Sequence, residues 1–165
     1  MRLHSLTAAC ALILIGTSSV SADEEGDFSA RLNGFREVPP ILTNGRGTFT
    51  ATLDASGTSL SFTLTFSALS SAATVAHIHF AQAGVAGNII AFLCGGGSKP
   101  ACPAAGGTVT GTIAAADILA VPSQGITAGS FSDFLRVLGS PDAYANVHTA
   151  NFPSGEIRGQ IRRVD

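Results

Sequence analysis

Tryptophan is absent from the 165 residues, tyrosine and methionine occur once each, and only 12% of the chain is charged. Nine basic residues stand against eleven acidic ones, a formal net charge of −2. No field of one sign invites nucleic acid or an anionic membrane. The single lysine, Lys99, sits in a Gly- and Pro-rich stretch, which argues against a lysine nucleophile. No Gly-X-Ser-X-Gly elbow and no phosphate-loop pattern occurs. Nor does any carboxylate pair have a spacing suited to acid–base catalysis. Low charge combined with abundant Thr, Ser, Gly, Val and Phe excludes a coiled coil or a disordered chain and points to a β-rich globule.

Long apolar runs are also missing. The one from Leu6 to Ile15 follows a short basic start and ends in small residues at Val20-Ser21-Ala22, the pattern of a secretory signal peptide. It is too short to be a comfortable membrane span, and no later stretch reaches the roughly 20 residues required. We therefore expect a signal peptide over residues 1–22, a single domain over 23–165, and a secreted or periplasmic location. Cys10 lies in the apolar run, leaving Cys94 and Cys102 as the pair in the mature chain. In an oxidising compartment that spacing favours a disulfide over a redox or metal site. Closing such a loop contributes roughly 2–3 kcal/mol in the chain-entropy model.

Hydrophobic residues recur with period two. Phe28, Ala30 and Leu32 form one such set, Phe49, Ala51 and Leu53 a second, and Leu60, Phe62, Leu64 and Phe66 a third. The turn Asp54-Ala55-Ser56-Gly57 joins the last two into a hairpin. Pro39 and Pro40 end pairing after the first strand. Further strands are expected at Val75–Phe80, Asn88–Leu93, Thr108–Ile113, Tyr144–Thr149 and Glu156–Ile161. A helical turn or two is expected at Ala114–Ala120, and a short helix after Ser130, where Phe131, Phe134, Leu135 and Leu138 share a face. About eight antiparallel strands with one or two short helices in the connections make an all-β Greek-key sandwich or flattened barrel.

The mature chain keeps three histidines, all in expected strands. In Ala76-His77-Ile78-His79-Phe80 the apolar set takes one face and both imidazoles the other, about 6–7 Å apart. Val147 claims the core side of its strand, so His148 also points outward. Three neutral imidazoles on one outer face suit copper or zinc better than magnesium or calcium. The same pattern fits a scaffold role in which the rings hydrogen-bond to loop backbone. Glu156 and Arg158 share a face opposite Ile157. They could orient an imidazole or draw an anion. Alternatively, Arg158 pairs with Glu37 and pins the Pro-Pro segment to the final strand.

The strings Leu32-Asn33-Gly34-Phe35-Arg36-Glu37-Val38-Pro39-Pro40, Ala76-His77-Ile78-His79, Asn146-Val147-His148-Thr149 and Pro153-Ser154-Gly155-Glu156-Ile157-Arg158-Gly159-Gln160 resemble the CHRD domain, in order, from about Phe28 to Arg162. The family is named after chordin and is common in secreted microbial proteins. The resemblance implies an extracytoplasmic β-rich domain and no established enzymatic activity. A fainter likeness is to copper–zinc superoxide dismutases. Under it, His77, His79 and His148 would match copper ligands and Arg158 the arginine beside the metal. The chain departs from that pattern in having no bridging histidine and no zinc-ligand cluster between Phe80 and Thr108. The leading expectation is a non-enzymatic binding module for an extracellular protein or surface, with a copper or zinc site on its outer face. A dismutase-like redox enzyme and a purely structural domain are the alternatives.

Overall fold

The computed structural model describes residues 27–164; the expected signal peptide lies outside them. Among the described residues nine strands form in chain order. They are β1 (Asp27–Asn33), β2 (Arg46–Leu53), β3 (Ser59–Ser67), β4 (Ala73–Phe80), β5 (Asn88–Cys94), β6 (Gly107–Ala114), β7 (Ala143–Thr149), β8 (Ile157–Gln160) and β9 (Arg162–Val164). One helix, α1 (Phe131–Gly139), precedes β7. The strands pair antiparallel in the order β5-β4-β7-β8-β1-β2-β3-β6, and β9 adds to β1. The chain passes from one edge strand, β5, to the other, β6, and the two edges approach each other, so the sheet is a nearly closed barrel. The expected all-β antiparallel architecture is what forms.

Alternation builds the interior. Phe49, Leu60, Leu64 and Phe66 are buried within, and the Phe49 and Phe62 rings stack with centroids 6.3 Å apart. Each such side chain contributes about 1.5–3 kcal/mol on burial. The β2–β3 hairpin closes on Asp54, whose carboxylate accepts from the Ser56 hydroxyl and the backbone N–H groups of Ser56, Thr58 and Ser59. Helix α1 starts at Ser130, whose hydroxyl accepts from Asp133 N–H at 3.3 Å, and seats Phe134 and Leu138 in the core. Cys94 and Cys102 are disulfide-bonded, with Cα atoms 5.0 Å apart, as their spacing led us to expect. Lys99 in that loop pairs with Asp117 at 2.9 Å.

One local expectation is met at its lower bound and one is corrected. The stretch Ala114–Ala120 makes a single 3-10 turn over Ala115–Asp117. There the Asp117 carboxylate accepts from Ala114 N–H and Ile118 turns into the core, so the turn does not propagate. The last strand is not continuous from Glu156 to Ile161. β8 lies between β7 and β1 and pairs with both, whereas beyond the buried Ile161 the chain continues as β9, which pairs with β1.

Candidate metal centre

The barrel's two-residue period has a second product on its outer surface. On the adjacent strands β4, β7 and β8 the core takes Ala76, Ile78, Ala145, Val147 and Ile157. The opposite face receives His77 and His79 from β4, Tyr144, Asn146 and His148 from β7, and Arg158 and Gln160 from β8. The register places His77 beside Asn146 and Asn146 beside Arg158, with His79 beside Tyr144 one row away. His148 lies opposite Val75, next to a register irregularity at the start of β4. The three histidines thus share one outward face, but not an open one. His77 and His79 are 4% and 7% exposed, because the segments carrying Glu37, Gly87 and Pro153 fold over them.

The imidazoles meet at one point. One ring nitrogen from each of His77, His79 and His148 lies within 4.8 Å of the others. His79 Nδ1 donates to Gly87 O at 3.0 Å, and His148 Nδ1 donates to Pro153 O at 2.8 Å. Those bonds fix both tautomers and leave each Nε2 as a lone pair aimed inward. The Nε2 atoms of His79 and His148 sit 3.2 and 2.7 Å from Asn146 Oδ1, and His77 Nδ1 is 3.2 Å from His148 Nε2. Asn146 Nδ2 in turn donates to Glu37 Oε1 at 3.3 Å. In this orientation a carbonyl oxygen faces two imidazole lone pairs.

Aromatic and cationic groups brace the cluster. Tyr144 lies parallel to the His79 ring, with centroids 4.6 Å apart, and its hydroxyl accepts from Gly87 N–H. The Arg158 guanidinium covers the other aromatic surface, its carbon 3.4 Å from the Tyr144 centroid. Phe92 meets His77 edge-on at 4.9 Å. Burial, aided by the neighbouring histidines, pushes His77 down to about 3; burial takes His79 to about 4 and also lowers His148. All three are therefore neutral at pH 7, the form that ligates metal. Burial raises Glu37 to about 7 against the opposing effects of Asn146 and Arg158.

Arg158 and Glu37 do not form the expected direct pair. Arg158 Nη2 donates instead to Gln82 O and Gln160 Oε1, at 3.1 and 3.0 Å, and Glu37 is taken by Asn146. Glu156 also stands apart from the histidines. Its carboxylate accepts from Thr43 and Thr149 hydroxyls and from both the N–H and hydroxyl of Ser70, at 2.6–2.8 Å. Burial opposes its charge, but those donors outweigh burial and lower its pKa. It ties three loops together. The sequence reading missed Tyr144, Phe92, Asn146, Gly155 and the backbone carbonyls of Gly87 and Pro153. Tyr144 and Asn146 stand in phase with His148 on one strand, a signal available from alternation alone. Gly155 has φ of 123°, and a Cβ there would come within 2.5 Å of Asn146 Nδ2 and 2.7 Å of Glu37 Oε1.

The family model of the CHRD domain matches residues 28–161. No curated protein and no solved structure matches the chain. Among the described residues no helix is long and apolar enough to cross a membrane.

Proposed function

Because the chain belongs to the CHRD domain family, we propose that it is a secreted or periplasmic binding module, not an enzyme, and that His77, His79 and His148 hold one copper or zinc ion. One observation carries the metal reading: the Nε2 lone pairs of His79 and His148 converge on a third acceptor, Asn146 Oδ1, at 3.2 and 2.7 Å. Acceptors facing one another repel, and a cation among them turns that repulsion into coordination. A tetrahedral ion with bonds of about 2.0–2.1 Å places its ligands roughly 3.3 Å apart; the three histidine nitrogens lie within 4.8 Å of one another, so they would close in on a bound ion. The donor set of neutral imidazoles selects Cu(I) or Zn(II) over hard cations. The backbone carbonyls of Gly87 and Pro153 would hold the rings in the ligating tautomer, as partners of metal-bound histidines do.

A scaffold reading is favoured by one feature, the raised pKa of Glu37. With Glu37 protonated and the Asn146 amide turned over, the Glu37 hydroxyl donates to Asn146 Oδ1. Both amide protons then serve the two Nε2 atoms, and every group is satisfied without an ion. The two readings separate experimentally. The mature protein, exported with copper and zinc available and then extensively dialysed, retains about one equivalent of metal by elemental analysis. The folded triple His→Ala variant retains none. Zn(II) or Cu(I) at a hundredfold excess over Kd stabilises the wild type by about 2.7 kcal/mol. No retained metal, together with no stabilisation by added ions, overturns the metal reading in favour of the scaffold. Superoxide turnover above that of free copper ion would overturn the assignment as a non-enzymatic module.

A further inference from the structure

A cavity of about 610 Å³ opens beside the histidine cluster, between the segment carrying Phe35 to Pro40 and the one carrying Ala83 and Gly84. That volume lies within the range of small-ligand sites. Phe35 is 69% exposed on its lining and Val38 is 37% exposed, an unusual concentration of apolar surface left in water. Two guanidiniums, Arg36 and Arg162, line the same cavity. Backbone carbonyls hold each in place: Arg36 Nη1 donates to Arg31 O, and Arg162 Nη1 donates to Pro141 O and Ile161 O at 2.7 and 3.1 Å. Among the described residues neither forms an ion pair. The one carboxyl in the lining, Glu37, is turned to Asn146 and is raised to about 7, so its negative charge is partly suppressed at neutral pH.

We propose that this cavity binds a small organic carboxylate with an apolar body, its head between Arg36 and Arg162 and its body against Phe35 and Val38. Fixed guanidiniums match a carboxylate geometrically and lose little freedom on binding it. The apolar walls add burial that a bare inorganic anion cannot use. The enclosed volume favours a small molecule over a polymer. The site does not depend on metal at the histidines and persists in His148→Ala.

The test is a titration of the ¹⁵N-labelled protein, followed by backbone amide shifts, with phenylacetate, neutral phenylacetamide and acetate as probes. Phenylacetate shifts residues 35–38 and 160–162 saturably. Phenylacetamide and acetate each bind about tenfold more weakly or worse, and Arg162→Gln weakens phenylacetate by a similar factor, as expected for a charge-assisted hydrogen bond. Arg36→Gln, on an exposed side chain, is the second variant should Arg162→Gln perturb folding, and it gives the same loss. No saturable shift with phenylacetate in the millimolar range overturns the proposal. So does phenylacetamide binding as tightly as the acid, unchanged affinity in the folded arginine variants, or saturable shifts confined to another surface.

Discussion

The outer face of β2, β3 and β6 and the outer face of β4, β7 and β8 arise from the same alternation, yet they come to opposite ends. On the first, Thr48, Thr65 and Thr108 lie in one row across the strands, and Thr50, Thr63 and Thr110 in the next. These side chains are exposed or half-buried and rest against solvent. On the second, histidine, asparagine and arginine occupy the equivalent positions and are sealed beneath loops. A polar group on the first face exchanges one water for another at little cost. On the second it must find a protein partner or lose its desolvation energy. The buried face is therefore where a substitution should be felt most, and where chemistry can be held in one geometry.

The largest effect is expected at Glu156. Glu156→Ala strands three hydroxyls and the Ser70 N–H that now converge on its carboxylate. Its loss should cost about 3–5 kcal/mol in urea denaturation. A cost below about 1 kcal/mol would mean that these donors rehydrate freely, and the contrast between the faces would fail. Next comes Gly155→Ala. Its Cβ would collide with Asn146 and Glu37 while the backbone sits at positive φ, so a loss of about 2 kcal/mol or more is expected together with impaired metal retention. Gly57 supplies the control. It also has positive φ, but a Cβ there meets nothing within 4 Å, so Gly57→Ala should cost about 1 kcal/mol from backbone strain alone.

Most of the strand pattern was legible in the sequence because period two is a local property: Leu60 through Phe66 declare their inner face without reference to any other strand. The gathering of His77, His79 and His148 on one outward face was legible for the same reason. Their burial was not. It depends on where residues 34–44, 81–87 and 150–155 lie, and those segments carry no periodicity to read. Glu37 was misassigned to Arg158 on charge alone. Its approach to Asn146 follows from Asn33 and Asn146 pairing with Arg158 from either side of β8, a register one sequence does not contain. The break at Ile161 was hidden because a buried isoleucine suits a continuous strand as well as a crossing between neighbours.

Titration sharpens the contrast, since burial displaces the groups on the covered face, whereas the exposed Asp54 at the β2–β3 turn is lowered to about 2 by hydrogen bonds from Ser56, Ser59 and Thr58. His77 and His79 are lowered to about 3 and 4, so as pH falls from about 6.5 the unfolded chain takes up protons that the folded chain refuses, and stability is lost. Glu37 has the opposite sign. Raised to about 7, it keeps a proton in the fold that the unfolded chain releases near 4.5, so its contribution is lost as pH rises through that window. In metal-free protein between about pH 4.5 and 6.5, the protons refused by His77 and His79 oppose one from Glu37, and the lowered His148 adds to the histidine side. Stability should then fall on acidification by at least roughly 1.4 kcal/mol per pH unit. Glu37→Gln removes the opposing proton and should steepen that slope by roughly the same amount again. An unchanged slope would place the Glu37 carboxyl in water.

The smallest effect is expected between two hydroxyls of the solvated face. Thr65 and Thr108 lie directly opposite, their hydroxyl oxygens 3.0 Å apart. Water competes for both, so Thr65→Ala should change stability by no more than about 0.5 kcal/mol. A double-mutant cycle with Thr108→Ala should give a coupling near the lower end of the 0.2–1 kcal/mol typical of cross-strand pairs. The informative partner is a second cycle, between Thr149 and Glu156, where a hydroxyl donates to a carboxylate at 2.7 Å and both side chains are buried. That coupling should reach about 1.5–3 kcal/mol, the range for hydrogen bonds to charged groups. The two hydroxyls would then differ severalfold in energy, with burial as the main difference in their surroundings. Equal couplings would mean that water reaches the Glu156 carboxylate as freely as it reaches the two exposed threonines.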